Sequence, residues 1–343
     1  MASTALAQTD MTLPALDKPR FTSAHIVRWL AAQQNWDKIH FDQVFCVDQA
    51  KLQAPVINGA LKQHLVAQFL VQALPGCWPW RMDYKFIGPD YVGDKLRVQG
   101  CITARQMHGG REFVSVQLEI VNTDRDEVTT RGTAVVVLDP AGRQLLDALT
   151  LDAPPGMELP EQVQAPDALV HANINSKLGS MLDNRASHYA IDLSRLRLFA
   201  DAVMGLPACH YDTTAGAASP WGAVVAPPLF PLHALEALPG TLPLSEQADA
   251  QGREGVNEVG RDFGPLFGIN AAGGMNAGNR VQLHSLARVG DYVHAKSTLV
   301  GVRQRSSKGG GEMIFFESLN HYTEAGGRPL LTERQTVVLR LPG

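Results

Sequence analysis

The chain has 343 residues, of which 45% are hydrophobic and 19% are charged, and its formal net charge is −4. The length suggests two domains, and the ordinary globular composition excludes an intrinsically disordered or fibrous protein. The slightly acidic charge argues against binding nucleic acid or an anionic membrane through a basic surface, and no apolar run reaches the ~20 residues of a membrane-spanning helix.

The N-terminus and the cysteines indicate the same cellular compartment. The first residues carry neither the basic segment nor the apolar core of a secretory signal. Cys46, Cys77, Cys101 and Cys209 form no Cys-x-x-Cys pair, so neither a zinc site nor a disulfide framework is expected. We therefore expect reduced thiols, no metal and a cytoplasmic location.

Helix and strand patterns follow in chain order. Apolar residues at every fourth position predict a helix over residues 58–73, whose polar side is formed by Lys62, Gln63, Gln68 and Gln72. Alternating apolar and polar residues predict a strand at 114–120. A stretch rich in Pro, Gly, Asp and Ala predicts a linker over residues 140–177. The other predicted segments are a turn at 122–126, strands at 134–138, 313–316 and 336–339, and a turn at 324–328.

The two halves of the chain resemble each other. Residues 91–98 match 288–295, both with Val-Gly-Asp, at an offset of 197 (290 − 93). Residues 29–42 match 199–212 without gaps at an offset of 170 (199 − 29), and an Ala-Pro pair recurs at an offset of 172 (226 − 54). Because the matches share one order and their offsets grow slowly, we expect one fold repeated twice.

Three local motifs suggest a known family. Asn35 is followed by His40 five residues later and by Asp42, and Gly59 stands at the head of the predicted helix. The Val-Gly-Asp turn that starts a strand occurs once in each half. Together these motifs resemble the MaoC-like hydratase/dehydratase family, which has the hot-dog fold.

The resemblance implies an α+β fold of two tandem hot-dog modules, each an antiparallel sheet wrapped around a long central helix. It places a catalytic-type module at residues 18–139, the linker at 140–177 and a degenerate module at 178–341. It also implies that the two modules form an internal pseudo-dimer, which buries a sheet edge that would otherwise be exposed. Whether this unit assembles further is left open.

The implied activity is hydration of a 2-enoyl-CoA thioester to the 3-hydroxyacyl-CoA, or the reverse dehydration, without a metal or redox cofactor. His40 would accept and return a proton near neutral pH, because the unperturbed pKa of histidine is near ~6.5. The side-chain oxygen of Asn35 would hold the water. The backbone N–H of Gly59, unpaired at a helix start, would bind the thioester oxygen.

Other roles for the same residues stay open. Asn35 occupies the position of an Asp in many relatives, and it could simply cap a helix C-terminus in the left-handed conformation. Asp37 is an alternative acid that could pair with His40. Arg303, Arg305 and Lys308, beside Gly309 to Gly311, could meet the phosphates of coenzyme A, or form a solvated hairpin turn.

The second half serves as an internal control. At the offset of 170, Gly205 stands opposite Asn35 and His210 opposite His40, and at the offset of 172 Pro231 stands opposite Gly59. Glycine has no side chain to hold water, and proline has no N–H to donate. The second module is therefore expected not to run the reaction.

Two rival functions fit the same sequence. A hot-dog acyl-CoA thioesterase would need a carboxylate at the thioester, for which Asp37 is the nearby candidate. A non-catalytic acyl-CoA-binding subunit fits the Asn at position 35 and the degenerate half. In all three cases the expected partner is an acyl-CoA, and neither nucleic acid nor a membrane is expected.

Overall fold

The computed structural model describes residues 7–235, 272–306 and 311–341. Within them, eleven strands form one antiparallel sheet in the order β1-β4-β5-β6-β3-β8-β11-β10-β9-β7, with β2 paired to β4. The strands are β1 (Ala7–Thr12), β2 (Leu16–Asp17), β3 (Trp78–Phe86), β4 (Leu96–His108), β5 (Arg111–Asn122), β6 (Glu127–Leu138), β7 (Met181–Ala186), β8 (Ala272–Leu283), β9 (Val293–Ser306), β10 (Glu312–Glu324) and β11 (Pro329–Arg340).

The helices of the described residues are short apart from three. They are α1 (Ser23–Gln33), α2 (Gln43–Asp48), α3 (Gly59–Ala73), α4 (Ala172–Asn175), α5 (Leu193–Val203) and α6 (Thr213–Ala218). Turns of 3-10 helix lie at Lys38–His40, Ala208–His210 and Phe230–His233. In this part of the chain, no helix has the length and apolar character needed to cross a membrane.

The α+β fold class is confirmed, and so are the predicted strands. The strand predicted at 114–120 lies in β5, and the strands at 134–138, 313–316 and 336–339 lie in β6, β10 and β11. Val114, Val116, Leu118 and Ile120 are buried, which is the alternation that the sequence indicates. The cysteines at positions 46, 77, 101 and 209 are free thiols.

The two modules share one sheet through β3 and β8. These strands pair antiparallel from Arg81 opposite Gln282 to Lys85 opposite Gly278. A Cβ on Gly278 would lie 2.5 Å from the carbonyl oxygen of Tyr84, so this close approach requires glycine. The internal pseudo-dimer expected from the resemblance is therefore present in the structure.

The predicted linker lies against the sheet. Leu159 donates its N–H to Gln282 Oε1 at 2.7 Å, and Arg334 Nη1 donates to the Pro160 carbonyl at 3.0 Å. Arg81 Nη1 donates to the Met157 carbonyl at 2.6 Å. Hydrogen bonds from strands of both modules therefore hold the connecting segment in place.

Helix α3 is buried from Leu61 to Leu70, so most of the predicted polar side does not face solvent. Lys62, Gln63 and Gln68 are only 2–3% exposed, whereas Gln72 near the end of the helix is exposed. The sheet covers one side of the helix and elements of the second module cover the other, so Lys62 and Gln68 find partners inside the protein. Gln68 Nε2, for example, donates to the carbonyl of Gly205 at 2.6 Å.

Four rings meet where the two modules face each other. Trp29 on α1 and Phe199 on α5 lie with their ring centroids 5.4 Å apart. His64 on α3 and His233 contact each other, with 3.1 Å between the two Nε2 atoms. Burial lowers the pKa of His233 to about 3, and burial lowers the pKa of His64 well below its ordinary value. Both imidazoles are neutral at neutral pH, so one Nε2 donates and the other accepts.

This pair predicts acid-sensitive stability. The unfolded chain binds protons on His64 and His233 below pH ~6.5, whereas the folded chain does not, so the unfolding free energy falls as the pH drops. The slope reaches about 1.4 kcal/mol per pH unit for each such histidine. Chemical denaturation at pH 4.5–7 measures it, and His233→Gln should flatten the slope. The exposed His171→Gln is the control, and equal slopes in both variants would contradict the prediction.

The shared sheet predicts that the modules do not fold as separate monomers. A fragment of residues 1–150 exposes the edge of β3 that pairs with β8, and an unpaired central strand promotes aggregation. We expect this fragment to be insoluble or self-associated in size-exclusion chromatography, and to become soluble when co-expressed with residues 151–343. A stable monomeric fragment would show that β3 does not need its partner.

Candidate active site

His40 lies at the end of a 3-10 turn that short side chains hold in place. Asp37 caps this turn, because its Oδ1 accepts the N–H of Ile39 at 3.3 Å. Asp42 caps the following helix α2 and accepts the N–H of Phe45 at 2.9 Å. Local capping thus fixes the backbone around His40, whose side chain is buried and 8% exposed.

The hydrogen bonds of His40 define its tautomer. Nδ1 lies 2.8 Å from the carbonyl oxygen of Val56, which can only accept, so Nδ1 carries the proton. Nε2 lies 3.1 Å from Asn58 Nδ2. The other end of this amide, Asn58 Oδ1, accepts the N–H of Ala60 at 2.7 Å as the N-cap of α3. The imidazole is therefore neutral, with its lone pair on Nε2.

Burial supports this protonation state. It lowers the pKa of His40, while the hydrogen bond to Val56 and the negative charge of Asp37 oppose the shift with smaller effects. Because the net direction is downward, His40 stays unprotonated at neutral pH. A neutral imidazole with a lone pair on Nε2 is the form that accepts a proton.

Gly59 is the first residue of α3 and follows Asn58 directly. Within the described residues its N–H has no acceptor, whereas the next amide, that of Ala60, is capped by Asn58. A Cβ on Gly59 would lie 3.1 Å from Cε2 of Phe86, so the ring packs closely against this backbone. The free N–H and the His40 lone pair thus belong to the same helix start, joined through one amide side chain.

Asn35 does not cap helix α1. The left-handed C-cap is Gln34, with φ 56°, so the C-cap alternative for Asn35 is wrong. Asn35 Oδ1 accepts the N–H of Asp37 at 3.1 Å, which leaves the amide NH₂ without a protein partner in the described chain. The Asn35 oxygen thus already accepts one hydrogen bond, while its NH₂ group is available as a donor.

The other expected site residues that the structure describes make no side-chain hydrogen bond with the His40 ring, whose nitrogens face Val56 and Asn58. Asp37 lies in the same 3-10 turn, and its backbone carbonyl accepts the N–H of His40 at 3.0 Å. Arg303 pairs with Glu317 at 2.9 Å, and Arg305 pairs with Asp167 at 3.1 Å, both on β9 of the second module. Lys308, together with residues 307–310, lies outside the described residues.

The second module repeats the histidine and its carbonyl partner, but it lacks counterparts of Asn58 and Gly59. His210 Nδ1 lies 2.9 Å from the Val225 carbonyl, as His40 does from Val56. The two carbonyl residues, Val56 and Val225, are 169 positions apart (225 − 56). His64 and His233, which contact each other, are separated by the same number of positions. Pro228, not Pro231, therefore stands opposite Gly59, and Pro227 stands opposite Asn58. The conclusion that no N–H is available there holds.

Asn58 is the site residue whose role the sequence analysis missed. An Asn directly before a helix-start glycine is a typical N-cap signal, so its capping role is readable from sequence. Its contact with His40 is not, because it depends on how the 3-10 turn packs against α3. The same holds for the Val56 carbonyl, since any residue can supply one.

This arrangement defines a class: two hot-dog modules with one sheet, in which one module presents a buried histidine at the start of its central helix. Residues 182–333 match the family model described as "FAS1-like, dehydratase domain region". No curated protein matches the chain by sequence.

Solved structures share the fold over nearly the whole chain. A MaoC domain protein dehydratase from Chloroflexus aurantiacus matches with a TM-score of 0.62 at 12% identity, over 98% of this chain and 96% of that one. A Mycobacterium tuberculosis protein described as a double hot-dog fold matches with a TM-score of 0.57 at 12% identity, over 98% and 97%. Peroxisomal multifunctional enzyme type 2 of Drosophila melanogaster matches with a TM-score of 0.52 at 10% identity, over 95% of this chain and 48% of that one. The chain therefore has the double hot-dog fold of these structures, which is the fold that the resemblance in its sequence implies.

The contact between Asn58 and His40 predicts a charge-dependent pKa. In Asn58→Asp a carboxylate replaces the amide beside Nε2, which favours the imidazolium and raises the pKa of His40. NMR titration of the imidazole measures this shift. Asn58→Ser is the control, because serine keeps an N-cap but does not reach the ring. An unchanged His40 pKa in Asn58→Asp would show that the two side chains do not interact in solution.

Proposed function

We propose that the protein adds water to the double bond of a 2-enoyl-CoA thioester, giving the 3-hydroxyacyl-CoA, or catalyses the reverse dehydration. The observation that carries this proposal is the pairing of a neutral, buried His40 lone pair with the unpaired N–H of Gly59 at one helix start. The names of the similar structures, a MaoC domain protein dehydratase among them, and the dehydratase-region match of residues 182–333 support the same chemistry.

His40 acts as the base and then as the acid. Water donates to Nε2 in place of Asn58 Nδ2, which exchanges one neutral hydrogen bond for another. Nε2 takes the proton as the hydroxide oxygen bonds to C3, and electrons of the double bond move to the thioester oxygen. The resulting imidazolium returns its proton to C2, so the overall reaction adds one water. Nδ1 keeps its hydrogen bond to Val56 throughout, which holds the ring in orientation.

Gly59 stabilises the charge that develops on the thioester oxygen. Its N–H points out of the first turn of α3, where the positive end of the helix dipole adds to the effect. Glycine at this position lets the Phe86 ring and a thioester both approach the backbone. The donor is present before substrate binds, so it needs no reorganisation during the reaction.

Asn35 orients the water from the other side. Because its oxygen is held by the N–H of Asp37, its NH₂ group donates to the water oxygen. Such a contact turns the water so that one of its hydrogens faces His40. This role needs no titratable group, so the Asn in place of the Asp of many relatives is compatible with the reaction.

Only the first module is proposed to be active. His210 keeps its carbonyl partner, but Pro227 and Pro228 replace Asn58 and Gly59, and Gly205 replaces Asn35. Proline supplies no N–H for an oxyanion, and the glycine supplies no amide for water. The second module therefore supports the shared sheet and does not turn over substrate.

The test uses a panel of 2-enoyl-CoA thioesters that differ in acyl length and bulk. For each compound, the measurement is the loss of the ultraviolet absorbance of its conjugated double bond. We expect turnover with at least one thioester, and His40→Ala should lower kcat about 10²–10⁴-fold. His210→Ala is the matched control, since it removes the same side chain from the equivalent turn, and it should leave kcat nearly unchanged. Equal losses in the two variants would contradict a single active module.

The same reactions separate the rival functions. Release of free coenzyme A thiol at the rate of substrate loss would indicate a thioesterase, although the Asp37 carboxylate is engaged in capping the 3-10 turn. Binding of acyl-CoA without any absorbance change would indicate a non-catalytic subunit. Either result would overturn the proposed hydration.

A further inference from the structure

A buried ion pair lies at the end of the first turn of α3. Lys62 Nζ is 2.8 Å from Asp90 Oδ2, and the two side chains are 3% and 0% exposed. Asp90 also accepts hydrogen bonds from Thr129 Oγ1 at 2.7 Å and Asn122 Nδ2 at 3.1 Å. Burying two charges is costly, and apolar replacements of such pairs are often no less stable, so stability alone does not account for this one.

The pair contacts both parts of the candidate site. Lys62 Nζ lies 5.2 Å from the ring centroid of Phe86, the ring that packs against Gly59. The backbone carbonyl of Asp90 accepts the N–H of Ile57 at 2.7 Å, next to Val56, whose carbonyl holds His40. The side chains of the ion pair thus contact the ring beside the helix start, whereas the segment that orients the imidazole is bound by the Asp90 backbone.

The second module contains a matched comparison. A different ion pair, which involves the Asp of the Val-Gly-Asp turn, occurs in both copies. Arg125 contacts Asp94 at 2.7 Å in the first module, and Arg328 contacts Asp291 at 2.6 Å in the second. The backbone bond from Ile57 to Asp90 also recurs, as the 2.8 Å bond from Ala226 to Ala287.

The Lys62–Asp90 pair does not recur in this way. Ala287 stands where the first module has Asp90, and at the local offset of 169 Pro231 stands where it has Lys62. Both copies fold, but only the copy with Asn58 and Gly59 keeps the buried pair. The buried pair is therefore associated with the candidate site and is not required by the fold.

We propose that Lys62 and Asp90 are positioning residues, whose ion pair holds the Phe86 ring and, through it, the Gly59 N–H in the geometry that the reaction needs. This inference rests on the proposed hydration. A displacement of the Gly59 donor weakens the contact with the oxyanion, which forms only in the transition state, so kcat falls while KM changes little.

The test is the double variant Lys62→Met/Asp90→Ala, which removes both charges together and uses the alanine that the second module carries. We expect a lower melting temperature, because Thr129 and Asn122 lose an acceptor, and a kcat of the folded protein lower by about 10- to 100-fold, because small misplacements of reacting groups have effects of this size. Asp291→Asn/Arg328→Met is the matched control, and we expect it to lower stability without lowering kcat of the folded protein.

Phe86→Leu provides a second route that leaves the charges in place. It removes the ring between Lys62 and Gly59 by an apolar exchange, so it tests the contact even if the double variant does not fold. We expect a lower kcat with KM nearly unchanged. An unchanged kcat in the folded double variant or in Phe86→Leu, or a kcat that falls only with the folded fraction, would overturn the inference.

NMR of the Gly59 amide separates this inference from the proposed function. The Gly59 amide lies beside the Phe86 ring, so its proton shift should change in the double variant and in Phe86→Leu, whereas the His40 Nδ1 proton, held by Val56 as His210 is by Val225, should be unchanged in both. If the wild-type protein turns over no thioester, the proposed function fails, and a Gly59 amide shift that is the same in all three proteins overturns the positioning role as well. A changed Gly59 shift supports that role independently of activity.

Discussion

The burial of α3 from Leu61 to Leu70 is the constraint on which the rest of the structure depends. The sheet and the second module cover this part of the helix on all sides, so a polar side chain in it needs a protein partner. Lys62 meets Asp90, His64 meets His233, and Gln68 donates to carbonyls at the end of α5. These contacts connect the helix to both modules, and the position of its first turn is fixed as a result.

The candidate site arises from that first turn. A buried helix start must satisfy or use its free amides, and Asn58 caps one of them with its oxygen while its nitrogen faces His40. The amide of Gly59 is left unpaired beside a neutral imidazole. The same capping geometry that begins the helix therefore brings the lone pair of His40 Nε2 and a free backbone N–H to one helix start.

The duplication explains how this site and a stable fold coexist. In both modules an Arg–Asp pair holds the Val-Gly-Asp turn. The glycine of the turn is Gly93 in one copy and Gly290 in the other, with φ of 104° and 96°. These features maintain the sheet, and the two copies keep them. The groups around the helix start differ between the copies, since Pro227 and Pro228 stand where the first module has Asn58 and Gly59.

The sequence by itself determined what depends on neighbouring residues. Alternation predicted the strands, the residue pattern around Asn58 and Gly59 predicted the start of a helix, and the repeats predicted two copies of one fold. Short-range geometry decides each of these, because side-chain period and capping follow from the local backbone.

Only the tertiary structure decided the partners of those residues. It turned the Asn35 amide so that its nitrogen is free, buried Lys62 that the helical pattern placed on a polar side, and set the second-half offset at 169 near Pro228. Partners such as the Val56 carbonyl come from segments that meet only after folding. Burial and long-range contacts depend on the whole packed chain, and no local pattern encodes them.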